Sequence, residues 1–273
     1  MTPPFDFDYL RKLVQQHSAV VLGAEKKYLA DLHLEPVAER AGFASIAALV
    51  EQLKHTSISA LHIQAVEALL NNETSFFRDH HPFAALKNVV LPYLIQQRRK
   101  ERSLAIWCAG CSYGQEPYSI AMLIREHFPE LIDWDLQLIA TDVSRKALER
   151  LKQGYYSQLE VDRGLPHTLR DKYFRKQQDG WQISDPLRQM IEVRQFNLID
   201  QWQGLPVMDI IFIRNVLIYF NVETKSSILQ KIHQHLRSDG YLFLGAGETV
   251  FNVGDQFESV QIEKSICHRI RNA

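Results

Sequence analysis

From Ser103 onward, short and almost wholly apolar runs alternate with amphipathic helical stretches, and this alternation constrains the fold more than any other feature. "SLAIWCA" (103–109), "LQLIATD" (136–142), "MIEVRQFNL" (190–198), "MDIIFIRN" (208–215) and "GYLFLG" (240–245) read as strands. "EPYSIAMLIREHF", "SRKALERLKQG" and "VETKSSILQKIHQHL" read as the intervening helices, the second stopped by Gly154. Strands apolar at nearly every position need cover on both faces, which a parallel sheet flanked by helices provides. The tail "FESVQIEKSICHRIRN" reads as an antiparallel strand pair added at one edge.

Before residue 70 the pattern is helical throughout, as the spacing of Ile46, Leu49, Val50 and Leu53 shows. Ser45 and Ser59 are candidate caps for the third and fourth helices. The fold class is therefore α/β: a doubly wound, mostly parallel, Rossmann-like sheet (residues 71–273) preceded by a small all-helical domain (residues 1–70). A subdomain is inserted at about 157–190, where "LPHTLRDKYFRKQQDGWQISDPLR" predicts a short helix and a hairpin turning at Asp179-Gly180.

Composition narrows the function classes. A formal net charge of −1 gives no general attraction to nucleic acid or anionic lipid. The longest apolar runs fall far short of the ~20 residues of a membrane span, and the N-terminus carries no signal-like apolar core. Three cysteines provide no disulfide framework and suit a reducing cytoplasm, the expected location.

The loop "CAGCSYGQEP" joins the first strand to the first helix, where open α/β sheets bind ligands. Gly110 and Gly114 let backbone approach a ligand closely. Gln115 and Glu116 stand where a phosphate-binding loop needs Lys and Ser/Thr, and the G-x-G-x-x-G fingerprint is absent. A carboxylate at the loop mouth would repel pyrophosphate and suit a ligand bearing a positive charge. The second strand ends in Asp142, a position from which an acid grips ribose hydroxyls. A nucleoside without phosphates and with a cationic amino-acid tail describes S-adenosylmethionine. Cys108 and Cys111 form a C-x-x-C, but Cys267 is the remaining cysteine, so a four-ligand zinc site lacks partners. Packing thiols are expected, and no metal.

These residues carry a resemblance. "NNETSFFRD" (71–79), "CAGCSYGQEPYSIAM", "ATDVSRKALERLKQGYY", "FIRNVLIYFN" (212–221) and "SDGYLFLGAGET" resemble, in order, the motifs of the CheR family. That family comprises S-adenosylmethionine-dependent methyltransferases that esterify glutamates of bacterial chemoreceptors, with S-adenosylhomocysteine as by-product. The resemblance implies that Asn72, Thr74 and Arg78 line the cofactor pocket, with Arg78 nearest the methyl. Glu116 would hold the amino-acid end, Asp142 the ribose, and Asn197 and Leu198 the adenine, with Gly110 in the cofactor loop. Arg214 and Asn215 would close the pocket, an ion pair being an equal reading for Arg214. Tyr219 would face Arg78 beside the substrate, making these two the expected catalytic pair. His80 and His81 are read as surface or cap residues.

The resemblance also implies partners, namely the cytoplasmic methylation helices of chemoreceptors, with neither nucleic acid nor membrane insertion and a monomeric state expected. Two departures concern docking. Over residues 1–70, six Lys/Arg face eight Asp/Glu, whereas the family commonly carries an arginine-rich second helix. The inserted subdomain is compact, with Gly180 as the sole glycine between Leu165 and Met190, so no C-terminal pentapeptide tether is expected. The alternatives are a methyltransferase of another acceptor and a non-catalytic cofactor-binding regulator.

Overall fold

The structure is a computed structural model that describes residues 5–251 and 255–271. The chain divides into two compact units: residues through Asn71 with Tyr219–Thr224, and Asn72–Ile218 with Lys225 onward. The grouping of Tyr219–Thr224 with the helices has no counterpart in the sequence reading.

The first unit holds helices α1 (Phe7–Ser18), α2 (Lys27–Arg40), α3 (Ile46–Lys54) and α4 (Ala60–Leu69). Their apolar stripes meet in one core, where Leu10, Val14, Leu34 and Leu49 are fully buried. Side chains cap α1, α3 and α4, the last two at the serines the sequence signals. Asp6 accepts from the Tyr9 amide at 3.0 Å and Ser45 from the Ala48 amide at 3.2 Å. At α4 the buried His62 takes part in the cap. Its Nδ1 accepts from the Ser59 amide at 3.1 Å and its Nε2 lies 3.0 Å from the Leu53 carbonyl, so the Nε2–H tautomer satisfies both.

The second unit begins with α5 (His81–Ala85), a π-helical turn (Leu86–Val90) and α6 (Leu91–Gln97). It continues as β1 (Ser103–Ala109), α7 (Gln115–His127), β2 (Asp135–Asp142) and α8 (Arg145–Gln153). The insertion holds β3 (Tyr155–Ser157), α9 (Gln158–Asp162), α10 (His167–Tyr173), β4 (Phe174–Gln177) and β5 (Gly180–Ile183). Then come α11 (Asp185–Arg188), β6 (Ile191–Gln195), β7 (Met208–Ile213), α12 (Val222–His235), β8 (Leu236–Leu244), β9 (Phe257–Ile262) and β10 (Ser265–Ile270). Among the described residues, the main sheet has the order β6-β2-β1-β7-β8-β10-β9. The first five strands are mutually parallel, and β10 and β9 run antiparallel at the edge. Asn272, the last residue of the expected strand pair, lies outside the described residues.

Apolar residues on both faces of β1 explain its continuous hydrophobicity. Ile106 and Cys108 join the core beneath α7, while Trp107 packs edge-on against Trp202 at 4.9 Å and Phe196 at 5.8 Å. The inserted strands form their own sheet, β3-β5-β4. The hairpin turn corrects the sequence reading by one residue. Gln177 pairs with Gly180, so the two loop residues are Gln178 and Asp179, with Gln178 at φ +44°. Gly180 instead opens β5, because a Cβ there would sit 2.4 Å from the Tyr155 ring. Strand β6 stops at Gln195, short of Leu198, because the chain then turns, with the Asp200 amide bonding the Asn197 carbonyl at 3.1 Å. No helix among the described residues is long and apolar enough to cross a membrane.

Candidate active site

The chain winds outward from β1 through β2 to β6, then returns to β7 on the other side of β1 and proceeds to β8. That reversal opens a crevice beyond the carboxyl ends of β1 and β7, the place where doubly wound sheets bind ligands. The loop after β1 is fastened there by main-chain bonds. The amides of Gly110 and Cys111 both donate to the Thr141 carbonyl, at 2.8 and 2.9 Å. Gly110 has φ +72°, and a Cβ would stand 2.6 Å from Val216, so glycine is required on both counts.

Asp142, at the tip of β2, is bound by its surroundings. Its Oδ2 accepts from the Ser112 amide at 2.8 Å and its Oδ1 from the Ser144 amide at 2.9 Å. A carboxylate oxygen can accept more than one hydrogen bond, so this anchored anion can also hold ligand hydroxyls. The Ser112 hydroxyl donates to the Asn72 carbonyl at 2.8 Å, which brings the 72–79 segment to the cofactor loop.

A charge cluster built around a buried arginine lies next to it. Arg214, with its side chain 1% exposed, donates to Glu116 Oε2 at 2.9 Å, Asp79 Oδ2 at 2.6 Å and the Arg78 carbonyl at 2.8 Å. Burial pushes the Glu116 carboxyl above its ordinary range, and the guanidinium of Arg214 pulls it partly back. With both acids ionised, the three groups sum to −1, which disfavours a phosphate and favours a cation. Asp79 therefore belongs to the charge cluster, a place the sequence reading did not give it.

The segment that carries Arg78 is strained. Phe77, Asp79 and His80 have φ of +48°, +68° and +48°, each costing on the order of 1–3 kcal/mol. Three contacts hold it: Arg214 on the Arg78 carbonyl, the Phe77 amide on Ser119 Oγ at 2.9 Å, and Phe76. Phe76 is fully buried and sits edge-on to Tyr156 at 5.1 Å and Phe174 at 5.6 Å. Full burial of such a ring contributes about 1.5–3 kcal/mol. Arg78 itself is half-buried and donates to the Glu73 carbonyl at 3.0 Å. Thr74 is also half-buried, and His80 and His81 are exposed at the start of α5.

Glu248 was missed as well. One oxygen accepts from the amides of Asn215 and Gly245, each at 2.7 Å, and the other from Val216 at 2.9 Å and Ile218 at 3.1 Å. It thus joins the loop after β7 to the loop after β8 and fixes Asn215 at φ +59°. A lone acid among small residues after a buried strand, as in "GAGET", is the signal that could have revealed it. Among the described residues, Gln115 Oε1, Arg214 Nε and Asn215 Oδ1 are buried without a hydrogen-bond partner. They fit a crevice that receives a polar ligand.

Asn197 and Leu198 lie in the turn after β6, next to Phe196, whose amide donates to the Asp142 carbonyl at 3.0 Å. Tyr219 belongs to the first unit, where its hydroxyl accepts from Asn71 at 2.7 Å and its carbonyl from the Val21 amide at 2.8 Å. Cys108 and Cys111 are buried free thiols that burial pushes well above the ordinary range, the reverse of an activated thiol.

Residues 72–266 match the family described as CheR methyltransferase, SAM binding domain. The chain belongs to the CheR family. It is an S-adenosylmethionine-dependent methyltransferase, and the crevice with its anionic cluster and anchored Asp142 suits that cationic nucleoside. CheR relatives match along nearly the whole chain. Chemotaxis protein methyltransferase Cher2 of Pseudomonas putida is 38% identical, covering 99% of each chain. Chemotaxis protein methyltransferase 1 of Pseudomonas aeruginosa is 38% identical, covering 97% of this chain and 98% of its own. The chemotaxis protein methyltransferase of Vibrio parahaemolyticus is 36% identical, covering 95% and 94%.

Proposed function

We propose that this CheR methyltransferase moves the methyl of S-adenosylmethionine to glutamate side chains on the cytoplasmic methylation helices of chemoreceptors. The observation that carries this reading is that relatives matched over 94–99% of their length are chemotaxis methyltransferases. The charge cluster and Asp142 support the cofactor half of it. The enzyme acts as a monomer in the cytoplasm, without nucleic acid, and takes its receptor without a C-terminal pentapeptide tether. The helical unit covers residues 1–70 and the methyltransferase domain 71–273.

The residues then divide the work. Asp142 holds the ribose, Glu116 with Arg214 and Asn215 the amino-acid end, and Asn197 and Leu198 the adenine. Asn72, Thr74 and Gly110 close around the ligand. When bound, the cofactor supplies an electrophilic methyl on a sulfonium. The acceptor glutamate needs no general base, since its ordinary pKa of about 4.3 leaves it anionic at pH 7. Arg78 and Tyr219 orient that carboxylate in line and exclude water. A tight charge clamp would hold the reactants more than the transition state, because their charges cancel as the ester forms.

Calorimetric titration with S-adenosylhomocysteine tests the cofactor assignment. Asp142→Ala is expected to weaken binding by about tenfold or more, a lost pair of ribose hydrogen bonds. An unchanged affinity would remove Asp142 from the ribose. For the transfer step, Arg78→Lys loses the planar fork and is expected to lower kcat on receptor fragments by at least about tenfold, roughly 1.4 kcal/mol in the barrier. Wild-type turnover would exclude Arg78 from positioning the carboxylate.

A further inference from the structure

The turn after β6 is held by a residue far away in sequence. Lys231, on α12, places its ammonium 3.2 Å from the Leu198 carbonyl, 3.0 Å from that of Ile199 and 2.7 Å from that of Asp200. An ammonium has three N–H donors, and here three consecutive carbonyls receive them. One ammonium thus gathers three successive carbonyls that would otherwise turn to separate donors. The same ammonium sits 5.7 Å from the centre of the Trp202 ring. Trp202 in turn donates through Nε1 to the Leu198 carbonyl at 3.1 Å and stacks edge-on against Trp107 of β1 at 4.9 Å. The turn is therefore gripped from two sides, by a charge from α12 and by an aromatic rooted in the central strand.

We infer that Lys231 is a positioning residue for cofactor binding, which sets the Asn197–Asp200 turn so that it can receive the adenine. This rests on the proposed assignment of Asn197 and Leu198 to the base. Lys231 acts through the main chain of that turn and the Trp202 ring beside it. Its effect should therefore fall on affinity for the nucleoside and not on the methyl-transfer step.

The test is calorimetry on the full chain with S-adenosylhomocysteine and, separately, adenosine, together with steady-state kinetics. Lys231→Met keeps the stem and removes the donors. It is expected to weaken both ligands by a similar factor of about tenfold and to raise KM for S-adenosylmethionine equally, with kcat changing by less than about twofold. Lys231→Arg, whose donors can still reach the carbonyls, should recover most of the affinity. A merely structural role would lower the melting temperature and leave ligand affinity of the folded protein intact. That result, or a loss in kcat at unchanged KM, would overturn the inference. If Lys231→Met does not fold, Lys231→Gln, which keeps one donor group, gives the same comparison. Absence of S-adenosylhomocysteine binding to the wild type would instead overturn the cofactor assignment on which the inference stands, so the two failures are distinguishable.

Discussion

Arg214→Leu is expected to lower stability by about 3–5 kcal/mol and to weaken S-adenosylhomocysteine binding by about a hundredfold near pH 7. The guanidinium, 1% exposed, is the counter-ion of Glu116 and also grips Asp79 and the strained Arg78 backbone. Leucine fills much of the space but leaves the buried Glu116 carboxylate without its counter-ion, while that of Asp79 stays partly open to water. Burial already raises the Glu116 pKa, and only the neighbouring cations restrain it, Arg214 first. Without that partner the Glu116 pKa is driven further upward, which favours the neutral acid and weakens the seat for a cation.

The pH dependence separates the two effects. A carboxyl whose folded pKa lies above its unfolded value binds protons more readily when folded, so stability falls as pH rises through that interval. In Arg214→Leu the interval widens upward. The deficit against wild type should therefore be smallest near pH 5 and grow toward pH 8, as followed by denaturant titration. Ligand affinity in the same variant should move oppositely, rising with pH as Glu116 ionises. Parallel slopes, or none, would show that Glu116 is not the group responding.

The winding of the sheet was legible because continuous apolar strands have few folding solutions. The placements of Gly110 in the loop after β1 and of Asp142 at the tip of β2 were legible for a related reason, since both follow from where the strands end. Side chains whose partners are remote in sequence were not legible. Glu248 bonds amides 30 to 33 residues away, and Asp79 meets Arg214 across 135 residues. Asp79 has no local pattern, and the local setting of Glu248 in "GAGET", with its bond to the Gly245 amide, does not reveal the second loop that it holds. The hairpin shows the opposite error. Asp-Gly is a strong turn signal, but the glycine at 180 answers to the Tyr155 ring pressed against it and not to the turn.

The opposite end of the sheet carries a second buried ion network, and it should affect the fold without affecting the site. Arg98 donates through Nε to Asp209 at 2.8 Å and through both terminal nitrogens to Asp239, at 2.9 and 2.5 Å. Asp209, at 1% exposure, also accepts from the Ala105 amide of β1 at 2.9 Å, and Arg237 stands 3.3 Å away. The network thus ties the helix before β1 to the starts of β1, β7 and β8. Asp209→Ala leaves the Ala105 amide without its acceptor and strips Arg98 of one of its two acids. Because Asp239 still pairs with Arg98, the loss should sit near the lower end for a broken buried pair, about 3 kcal/mol, or roughly 6–12 °C in melting temperature. The folded fraction should nevertheless bind S-adenosylhomocysteine as the wild type does. Every contact removed lies at the amino ends of the strands, whereas the crevice opens at their carboxyl ends. An affinity loss matching that of Arg214→Leu would mean that the two ends of the sheet are coupled, and that the separation between what holds this fold and what binds its ligand does not exist.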